Sequence, residues 1–390
     1  MVILRLAIKN LLGAGMRTWL NVVVTSFSFT IIIFFNAMYD GMRQDTLRIM
    51  LDTEVGGGQL WHPKYDPYNP LTIEDSHAVI PEELRESVAL KEAMPVLVRQ
   101  ATFYMNGRSS VGLMKGMPPE QEIVRMPMKD LNDYTGDYIP VVIGSGMSKK
   151  TGLRKGDLFT VRWLDALKTY DADEFEVAEV IKLDNFHLDR GIIWLSLEKM
   201  RELLEMPGEA TFIVLKRDYA FNFSAASFVY RDIDYFMKDI DAAIEADQVW
   251  ANTIFGLLLI MASLGIFNSQ VLSIFRRKKE IGTLMALGMT RYSVVRLFTL
   301  EGGLHSVLAL VVGALYGTPL FYYLATRGIS IPYGEEAGIV SSGSLYPVFG
   351  PQLIFGTMLL VAGVVTVVSF LPTRKIAKMQ PTEALRGKIS

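Results

Sequence analysis

Residues 276–293 have the sequence Arg276-Arg-Lys-Lys-Glu-Ile-Gly-Thr-Leu-Met-Ala-Leu-Gly-Met-Thr-Arg-Tyr-Ser293, which is basic and amphipathic. The stretch lies between two runs without a charged side chain, Val249 to Phe275 and Gly302 to Thr326. A helix needs about 20 apolar residues to cross the hydrocarbon of a bilayer, so each run is long enough to span a membrane. We therefore predict that the basic stretch is a short loop at one membrane surface.

Two further apolar runs, Thr18 to Tyr39 and Gln352 to Thr373, bring the predicted spans to four. The first exceeds the ~7–15 residues of a signal-peptide core, so we expect it to remain as a membrane helix. The predicted fold class is a membrane protein with four transmembrane α-helices and one large α+β extracytoplasmic domain. The predicted segments are a cytoplasmic interfacial helix over 1–17, spans over 18–39, 249–275, 297–326 and 352–373, extracytoplasmic segments over 40–248 and 327–351, a cytoplasmic loop over 276–296 and a cytoplasmic tail over 374–390.

The positions of Lys and Arg predict the side of the membrane on which each segment lies, because short loops rich in these residues stay cytoplasmic. Residues 1–17, 276–296 and 374–390 together carry 14 basic and 2 acidic side chains. Residues 40–248 carry 24 basic and 36 acidic side chains. We therefore predict a multi-pass protein of the inner membrane with both termini cytoplasmic and the large domain periplasmic. The basic charge belongs to short segments at the predicted cytoplasmic surface, so it does not indicate nucleic-acid binding.

The region 40–248 contains short β-branched runs bounded by turn residues, which predict a sheet of six or seven strands. The runs are Pro95–Tyr104, Ser110–Lys115, Pro140–Ile143, Asp157–Trp163, Phe175–Leu183, Gly191–Leu195 and Thr211–Lys216. Helical spacing predicts helices over Pro81–Leu90 and Leu197–Leu204, the second with Ser196 as its N-cap. The chain has no cysteine, so we expect this domain to fold without disulfides.

Two segments of this region have more than one interpretation. His62-Pro-Lys-Tyr-Asp-Pro-Tyr-Asn-Pro70 is either an ordered surface connection, which we favour, or a loop that contacts substrate. A group of methionines either packs adaptably in a core or binds Cu(I) through thioether sulfur. These are Met105, Met114, Met117, Met126 and Met128. Because they have no tight repeat and no nearby Cys, packing is favoured.

The sequence gives little support to catalysis by this chain. It contains no Gly-x-x-x-x-Gly-Lys-Ser/Thr phosphate loop, so we do not expect it to hydrolyse ATP alone. The histidines His62, His77, His187 and His305 show no ligand spacing, and no metal site is predicted. The Gly-x-Ser-x-Gly motif of serine hydrolases is also missing from the sequence.

Polar residues within the predicted spans need protein or water around them, since lipid offers no hydrogen bonds. Asn36, Asn252, Asn268 and Gln270 are predicted to mark the interior faces of the first two spans. Glu301 and His305 share one helix face and form either a structural pair or part of a coupling path. Ala309, Gly313 and Gly317 form a ridge of small residues, either for packing within the subunit or for dimerisation.

Within the basic stretch, Ile281, Leu284, Met285 and Gly288 recur at i, i+3, i+4 and i+7, which predicts a short amphipathic helix. Gly288 suits a left-handed helix end, and Thr290 suits the N-cap of the next helix. The helix rests either on anionic lipid headgroups or in a groove of a protein partner. Its small apolar face favours the protein groove.

Three segments resemble the FtsX-like permeases of ABC transporters, which include lipoprotein-releasing (Lol-type) and macrolide-exporter (MacB-type) permeases. They are Arg277-Lys-Lys-Glu-Ile-Gly-Thr-Leu-Met-Ala-Leu-Gly-Met-Thr290, Glu301-Gly302 and Pro372-Thr-Arg-Lys-Ile-Ala-Lys-Met-Gln-Pro-Thr-Glu-Ala-Leu-Arg386. Residues 142–157 and 192–208 are similar to the exterior domain of the Lol-type permeases. The resemblance covers nearly the whole chain, and the Lol type fits best.

The resemblance implies a non-catalytic permease subunit that docks on two copies of a separate ABC ATPase, where ATP and Mg bind. It implies a second permease chain, identical or paralogous, and a mechanotransmission cycle that acts on a lipoprotein or another lipid or amphiphilic substrate. A periplasmic partner is a further implication. The residues that it assigns to ATPase coupling are Glu280, Ile281, Gly282, Leu284, Met285, Ala286, Leu287, Gly288, Thr290 and Arg291.

Two other functions stay open on the sequence alone. One is a cell-division-type signalling permease that regulates a periplasmic partner without transport. Members of that type have a much smaller exterior domain, which disfavours it. The other is a membrane sensor without an ATPase.

Overall fold

The computed structural model describes residues 15–132, 134–183, 185–189, 191–219, 227–330 and 344–376. Most of the predicted interfacial helix 1–17, of the loop 327–351 and of the tail 374–390 lies outside the described residues. The chain divides into two compact units. The helical unit comprises Met1–Met42, Ala243–Ile329 and Tyr346–Ser390, and the sheet unit comprises Arg43–Ala242 and Ser330–Leu345.

Helices occur in both units. Along the chain they are α1 (Met16–Met50), α2 (Glu82–Ala89), α3 (Ser145–Thr151), α4 (Phe186–Asp189), α5 (Leu197–Leu204), α6 (Ile233–Arg276), α7 (Lys278–Ala286), α8 (Arg291–Arg327) and α9 (Pro351–Ile376). A short π-helix over Leu51–Val55 follows α1. Among the described residues, four helices are long and apolar enough to cross a membrane, namely α1, α6, α8 and α9.

Each of these four helices contains one predicted span, and two of them extend well beyond it. α1 continues to Met50 and α6 begins at Ile233. The backbone hydrogen bonds of a helix form in water as well as in lipid, so a helix can continue beyond its membrane span through charged residues. Arg43 of α1 and Asp241 of α6 are two such residues, and they form an ion pair of 2.7 Å. The membrane boundaries themselves stay predictions.

An apolar cluster in the helical unit joins all four long helices, with Leu310 and Phe321 of α8 packed against its buried residues. Phe29 and Ile33 of α1 pack in one buried cluster with Ile266 of α6 and with Val361 and Val365 of α9. Other apolar side chains of these helices are exposed on the surface of the chain. Exposed apolar faces are expected where a helix contacts lipid instead of water.

The sheet unit is built on strands of two to thirteen residues. They are β1 (Gln59–Trp61), β2 (Ala78–Val79), β3 (Ala93–Met105), β4 (Arg108–Met117), β5 (Ile139–Gly144), β6 (Leu158–Leu164), β7 (Tyr170–Ile181), β8 (Ile192–Ser196), β9 (Glu209–Ala210), β10 (Phe212–Leu215), β11 (Val229–Arg231), β12 (Ile329–Ser330) and β13 (Ser344–Leu345). In the described part of the chain, nine of them form one sheet in the order β11-β1-β10-β3-β4-β8-β5-β7-β6.

This sheet closes on itself, because β6 also pairs with β3. Ala101 lies opposite Trp163, and Tyr104 lies opposite Thr160. The strands β3, β4, β8, β5, β7 and β6 therefore form a ring. Alternate residues of all six strands meet in one buried cluster, which includes Phe103 and Phe175 and fills the interior of the ring.

The predicted strands and helices of this region agree with the structure to within a few residues. The seven predicted runs correspond to β3, β4, β5, β6, β7, β8 and β10. Ser196 caps α5 as predicted, since its Oγ accepts a hydrogen bond from the backbone N–H of Lys199 at 3.2 Å. The sequence did not predict β1 and β11, because three residues are too short to show alternation.

The methionine group is buried and divided between two clusters. Met105 and Met114 lie in the interior of the ring. Met117, Met126 and Met128 lie in a second cluster with Trp61 and Trp194. The five side chains thus act as core residues, which supports the packing interpretation.

Candidate functional site

A break and a turn separate α7 from the long helices on either side. α6 ends at Arg276, and Arg277 leaves the helical region with φ −97° and ψ 13° before α7 begins at Lys278. Gly288 then ends α7 with φ +96°, a conformation that favours glycine. The short helix is therefore a separate element with a defined start and end.

The entry into α8 is capped as predicted. Thr290 has extended backbone angles, and its Oγ1 accepts a hydrogen bond from the N–H of Ser293 at 3.3 Å. The N–H of Gly288 donates to the carbonyl of Met285 at 3.1 Å, which closes the last turn of α7. Together these bonds fix the helix–turn–helix that the periodicity predicts.

The apolar side of α7 faces the interior of the helical unit. Ile281 is fully buried in a cluster with Ile274, Val294 and Phe298, and Met285 packs against it. Gly282 is also buried. Ile281 and Gly282 are therefore covered by the chain itself, and their part in ATPase coupling stays a prediction. An isolated nine-residue helix is unstable in water, so packing of this face is what holds α7 in place.

The opposite side of α7 and its turn is exposed. Leu287 is 80% exposed and Tyr292 is 75% exposed. Leu284 is half-buried. The other predicted coupling residues on the exposed side are Glu280, Ala286, Gly288, Thr290 and Arg291. Tyr and Arg are enriched at protein contact surfaces, and the exposed Leu287 adds apolar area beside them. Tyr292 is a further exposed residue of this side that the sequence pattern did not predict, although it follows the capping Thr290 and Arg291 directly.

Arg277 joins α7 to α8, a role that the sequence analysis also missed. Its Nε donates to Oε2 of Glu280 at 2.9 Å, and its Nη1 donates to Oε2 of Glu301 at 3.1 Å. The guanidinium carbon lies 5.1 Å from the centre of the Phe298 ring. Arg277 and Glu280 are three residues apart, a spacing at which side chains meet in a helix. This spacing could have predicted the bond between them.

Glu301 and His305 are both buried, as their shared face predicts. Nδ1 of His305 lies 2.8 Å from the backbone carbonyl oxygen of Glu301. The carboxylate of Glu301 accepts a hydrogen bond from Arg277. Glu301 and His305 are therefore part of a larger polar cluster. A role of His305 in coupling stays a prediction.

The remaining intramembrane polar residues lie in different surroundings. Gln270 is buried, and Nδ2 of the half-buried Asn36 donates to the carbonyl of Ile32 at 2.8 Å. Asn252 and Asn268 are exposed within the chain, which differs from the prediction. Two residues advance a helix by about 200°, so Asn268 and Gln270 cannot share one face. Asn252 lies in the first turn of the predicted span, near the membrane surface.

The ridge of small residues on α8 packs within the chain. A Cβ atom on Gly313 would lie 3.0 Å from Cδ1 of Phe29, and one on Gly317 would lie 3.6 Å from Oγ1 of Thr30. Ala309 is fully buried. The ridge therefore accounts for close approach of α8 to α1, and dimerisation through it stays a prediction.

The loop from His62 to Pro70 is ordered by its own hydrogen bonds. Oδ1 of Asp66 accepts from the N–H of Tyr68 at 2.9 Å, and Oδ1 of Asn69 accepts from the N–H of Leu71 at 3.2 Å. Burial is the main cause that lowers the pKa of His62. Across the described ranges of the chain, no group of three or more His, Cys, Asp or Glu could hold a metal ion.

Similar proteins support a transport role for this architecture. Residues 252–381 match the family described as FtsX-like permease C-terminal. The lipoprotein-releasing system transmembrane protein LolC of Neisseria meningitidis is 21% identical over 324 residues, which are 75% of this chain and 77% of that protein. The macrolide export ATP-binding/permease protein MacB of Psychrobacter arcticus is 27% identical over 158 residues, which are 40% of this chain and 22% of that protein.

Among solved structures, the periplasmic region of MacB from Actinobacillus actinomycetemcomitans is similar to 50% of this chain and 97% of that chain, with a TM-score of 0.32 and 10% identity.

An uncharacterized ABC transporter permease of Bacillus subtilis, YknZ, is 31% identical over 154 residues, which are 38% of this chain and 35% of that protein.

Four long apolar helices with a basic helix–turn–helix between two of them are typical of a membrane protein, and the match of residues 252–381 gives the class as a permease. Residues 252–381 carry an FtsX-like permease C-terminal domain, and the chain is similar to LolC, to MacB and to the ABC transporter permease YknZ. The resemblance seen in the sequence is thereby confirmed. LolC and MacB are named for different substrates, so the names of the relatives do not decide what this chain moves.

Proposed function

We propose that this chain is the non-catalytic membrane subunit of an ABC transporter that works by mechanotransmission. A separate ATPase in two copies binds ATP and Mg, and its closure moves the spans of this chain and of a second permease chain. The sheet unit lies in the periplasm and acts on a lipoprotein or another amphiphilic substrate at the outer leaflet of the inner membrane. Both termini are cytoplasmic.

The exposed side of α7 and its turn is the observation that carries this proposal. A helix bound to lipid headgroups must place its apolar face in the membrane. In α7 the apolar residues Ile281 and Met285 pack against α8 instead. What remains outside is Leu287 and Tyr292 next to Arg291, a surface suited to a groove on an ATPase.

The substrate proposal is supported by the extent of the alignment. The LolC relative aligns over 75% of this chain, whereas the MacB relative aligns over 40%. α6 is one unbroken helix from Ile233 to Arg276, so a displacement at its cytoplasmic end can pass along it.

The test is to replace Leu287 by Asp in the chain reconstituted in vesicles with the ATPase that co-purifies with it. We expect the affinity for the ATPase to fall about 30-fold, since an apolar anchor at an interface contributes about 2 kcal/mol or more. Binding is measured by pull-down titration. Transport is measured as ATP-dependent release of a fluorescent diacylglyceryl lipopeptide from the vesicles.

The matched control is Leu167→Asp, at a leucine that is 72% exposed in the turn between β6 and β7. It should leave ATPase binding unchanged. Equal binding of the ATPase by the Leu287→Asp variant and the original chain would refute docking at α7. ATP turnover without lipopeptide release by the original chain would favour the signalling function instead.

A further inference from the structure

The Arg277 side chain bonds to residues of both α7 and α8, namely Glu280 and Glu301. Its guanidinium is planar and offers donors on different edges, so one edge can hold Glu280 while another holds Glu301. The Phe298 ring covers one face of the same group. A lysine ammonium at this position would be a single point charge without that fixed plane.

The Glu301 end of this link belongs to the rigid body of the helical unit. The Glu301 side chain is only 4% exposed. Two residues before Glu301, Oγ1 of Thr299 lies 3.1 Å from Oγ1 of Thr373 on α9. On the next residue, Gly302 allows Ser369 of α9 to approach so closely that a Cβ atom would lie 2.2 Å from its Oγ. A force on Glu301 therefore acts on α8 and α9 together.

The Glu280 end of the link belongs to α7, the element on which the ATPase is proposed to dock. α7 is separated from α6 by the break at Arg277 and from α8 by the turn at Gly288. The Glu280 side chain is 66% exposed on the outer side of α7. The turn and the packing of Ile281 and Met285 also attach α7 to α8.

We infer that Arg277 is a positioning residue that holds α7 and α8 as one rigid body, so that displacement of α7 moves the third span. This inference rests on the proposed function, because it assumes that an ATPase docks on α7. It assigns to Glu301 the role of the buried anchor and to Glu280 the role of the contact on the docking helix.

The rigidity of the link can be measured on the chain alone, before any ATPase is added. The chain contains no cysteine, so spin labels can be attached at Lys279→Cys on α7 and at Leu315→Cys on α8 without removing a native thiol. We expect one narrow distance distribution between the two labels. Arg277→Lys and Glu301→Gln should each broaden it, while Arg374→Lys, at an exposed arginine near the end of α9, should not.

The consequence for transport is measured in vesicles with the co-purifying ATPase and the fluorescent lipopeptide. Arg277→Lys and Glu301→Gln should lower lipopeptide release by about fivefold or more, the lower end of typical coupling between sites. ATP hydrolysis and ATPase binding should stay within about twofold, because the exposed side of α7 is unchanged. The double variant should be no worse than either single variant, since both remove the same link.

The two proposals fail in different ways. If the original chain binds no ATPase but the distance distribution broadens in the variants, the proposed function is wrong and the link between α7 and α8 is real. If the distribution stays narrow in both variants, or if release is unchanged while ATPase binding is normal, the inference about Arg277 is overturned.

Discussion

At the scale of single residues, Gly302 sets how closely α8 and α9 approach. A Cβ atom there would lie 2.2 Å from both Cβ and Oγ of Ser369 and 3.3 Å from Nε2 of Gln270, all buried. Gly302→Ala should therefore destabilise the chain by about 1–3 kcal/mol, the usual cost of overpacking. The measurement is thermal unfolding in detergent micelles, followed by tryptophan fluorescence.

Two variants separate this steric effect from the general effect of alanine in a helix. Gly363→Ala on α9 adds a methyl group where no atom lies within 4 Å, so it should be neutral or slightly stabilising. Adding Ser369→Gly to Gly302→Ala removes the clashing atoms and should restore part of the lost stability. Equal unfolding temperatures for Gly302→Ala and Gly363→Ala would show that the contact with Ser369 is not close.

At the scale of elements, the small-residue ridge of α8 decides how α8 packs on α1. A Cβ atom on Gly313 already reaches within 3.0 Å of Phe29 and 3.4 Å of the Ser26 carbonyl oxygen. Gly313→Leu should push the two helices apart and break the hydrogen bond of 3.0 Å between Thr30 and Tyr316. We expect lower thermal stability with an unchanged oligomeric mass, measured by light scattering.

Gly356→Leu on α9 is the matched control, because its Cβ atom would have no neighbour within 4 Å. It should leave the unfolding temperature unchanged. A Gly313→Leu variant that keeps its stability but loses a dimeric mass would show that the ridge serves dimerisation instead.

The same elements show what local sequence can and cannot predict. The start of α8 and the end of α7 were predictable because Thr290 and Gly288 act through their own backbone conformation. The burial of Ile281 was not predictable in the same way. Its partners Val294 and Phe298 lie on the next helix. Periodicity alone does not show whether an apolar face packs within its own chain or against another protein.

At the scale of the whole molecule, the sheet of strands was predictable and its closure was not. Alternation within each run predicts β3 and β6 separately. The pairing of Ala101 with Trp163 joins residues distant in sequence, and no local pattern records it. The same limit applies to the link between α7 and α8, since the bond from Arg277 to Glu301 joins two different elements. Charge, by contrast, is counted residue by residue, which makes the orientation of the chain testable.

The cytoplasmic segments predicted from charge carry 14 basic and 2 acidic side chains, whereas residues 40–248 are acidic. If this asymmetry orients the chain, a membrane-impermeant maleimide should label Leu167→Cys in cells whose outer membrane is permeabilised. It should label Lys279→Cys only after the inner membrane is opened as well. Both positions are exposed, and the chain has no cysteine of its own, so each label reports one site. Labelling of Lys279→Cys in cells with an intact inner membrane would reverse the topology and remove α7 from the reach of a cytoplasmic ATPase.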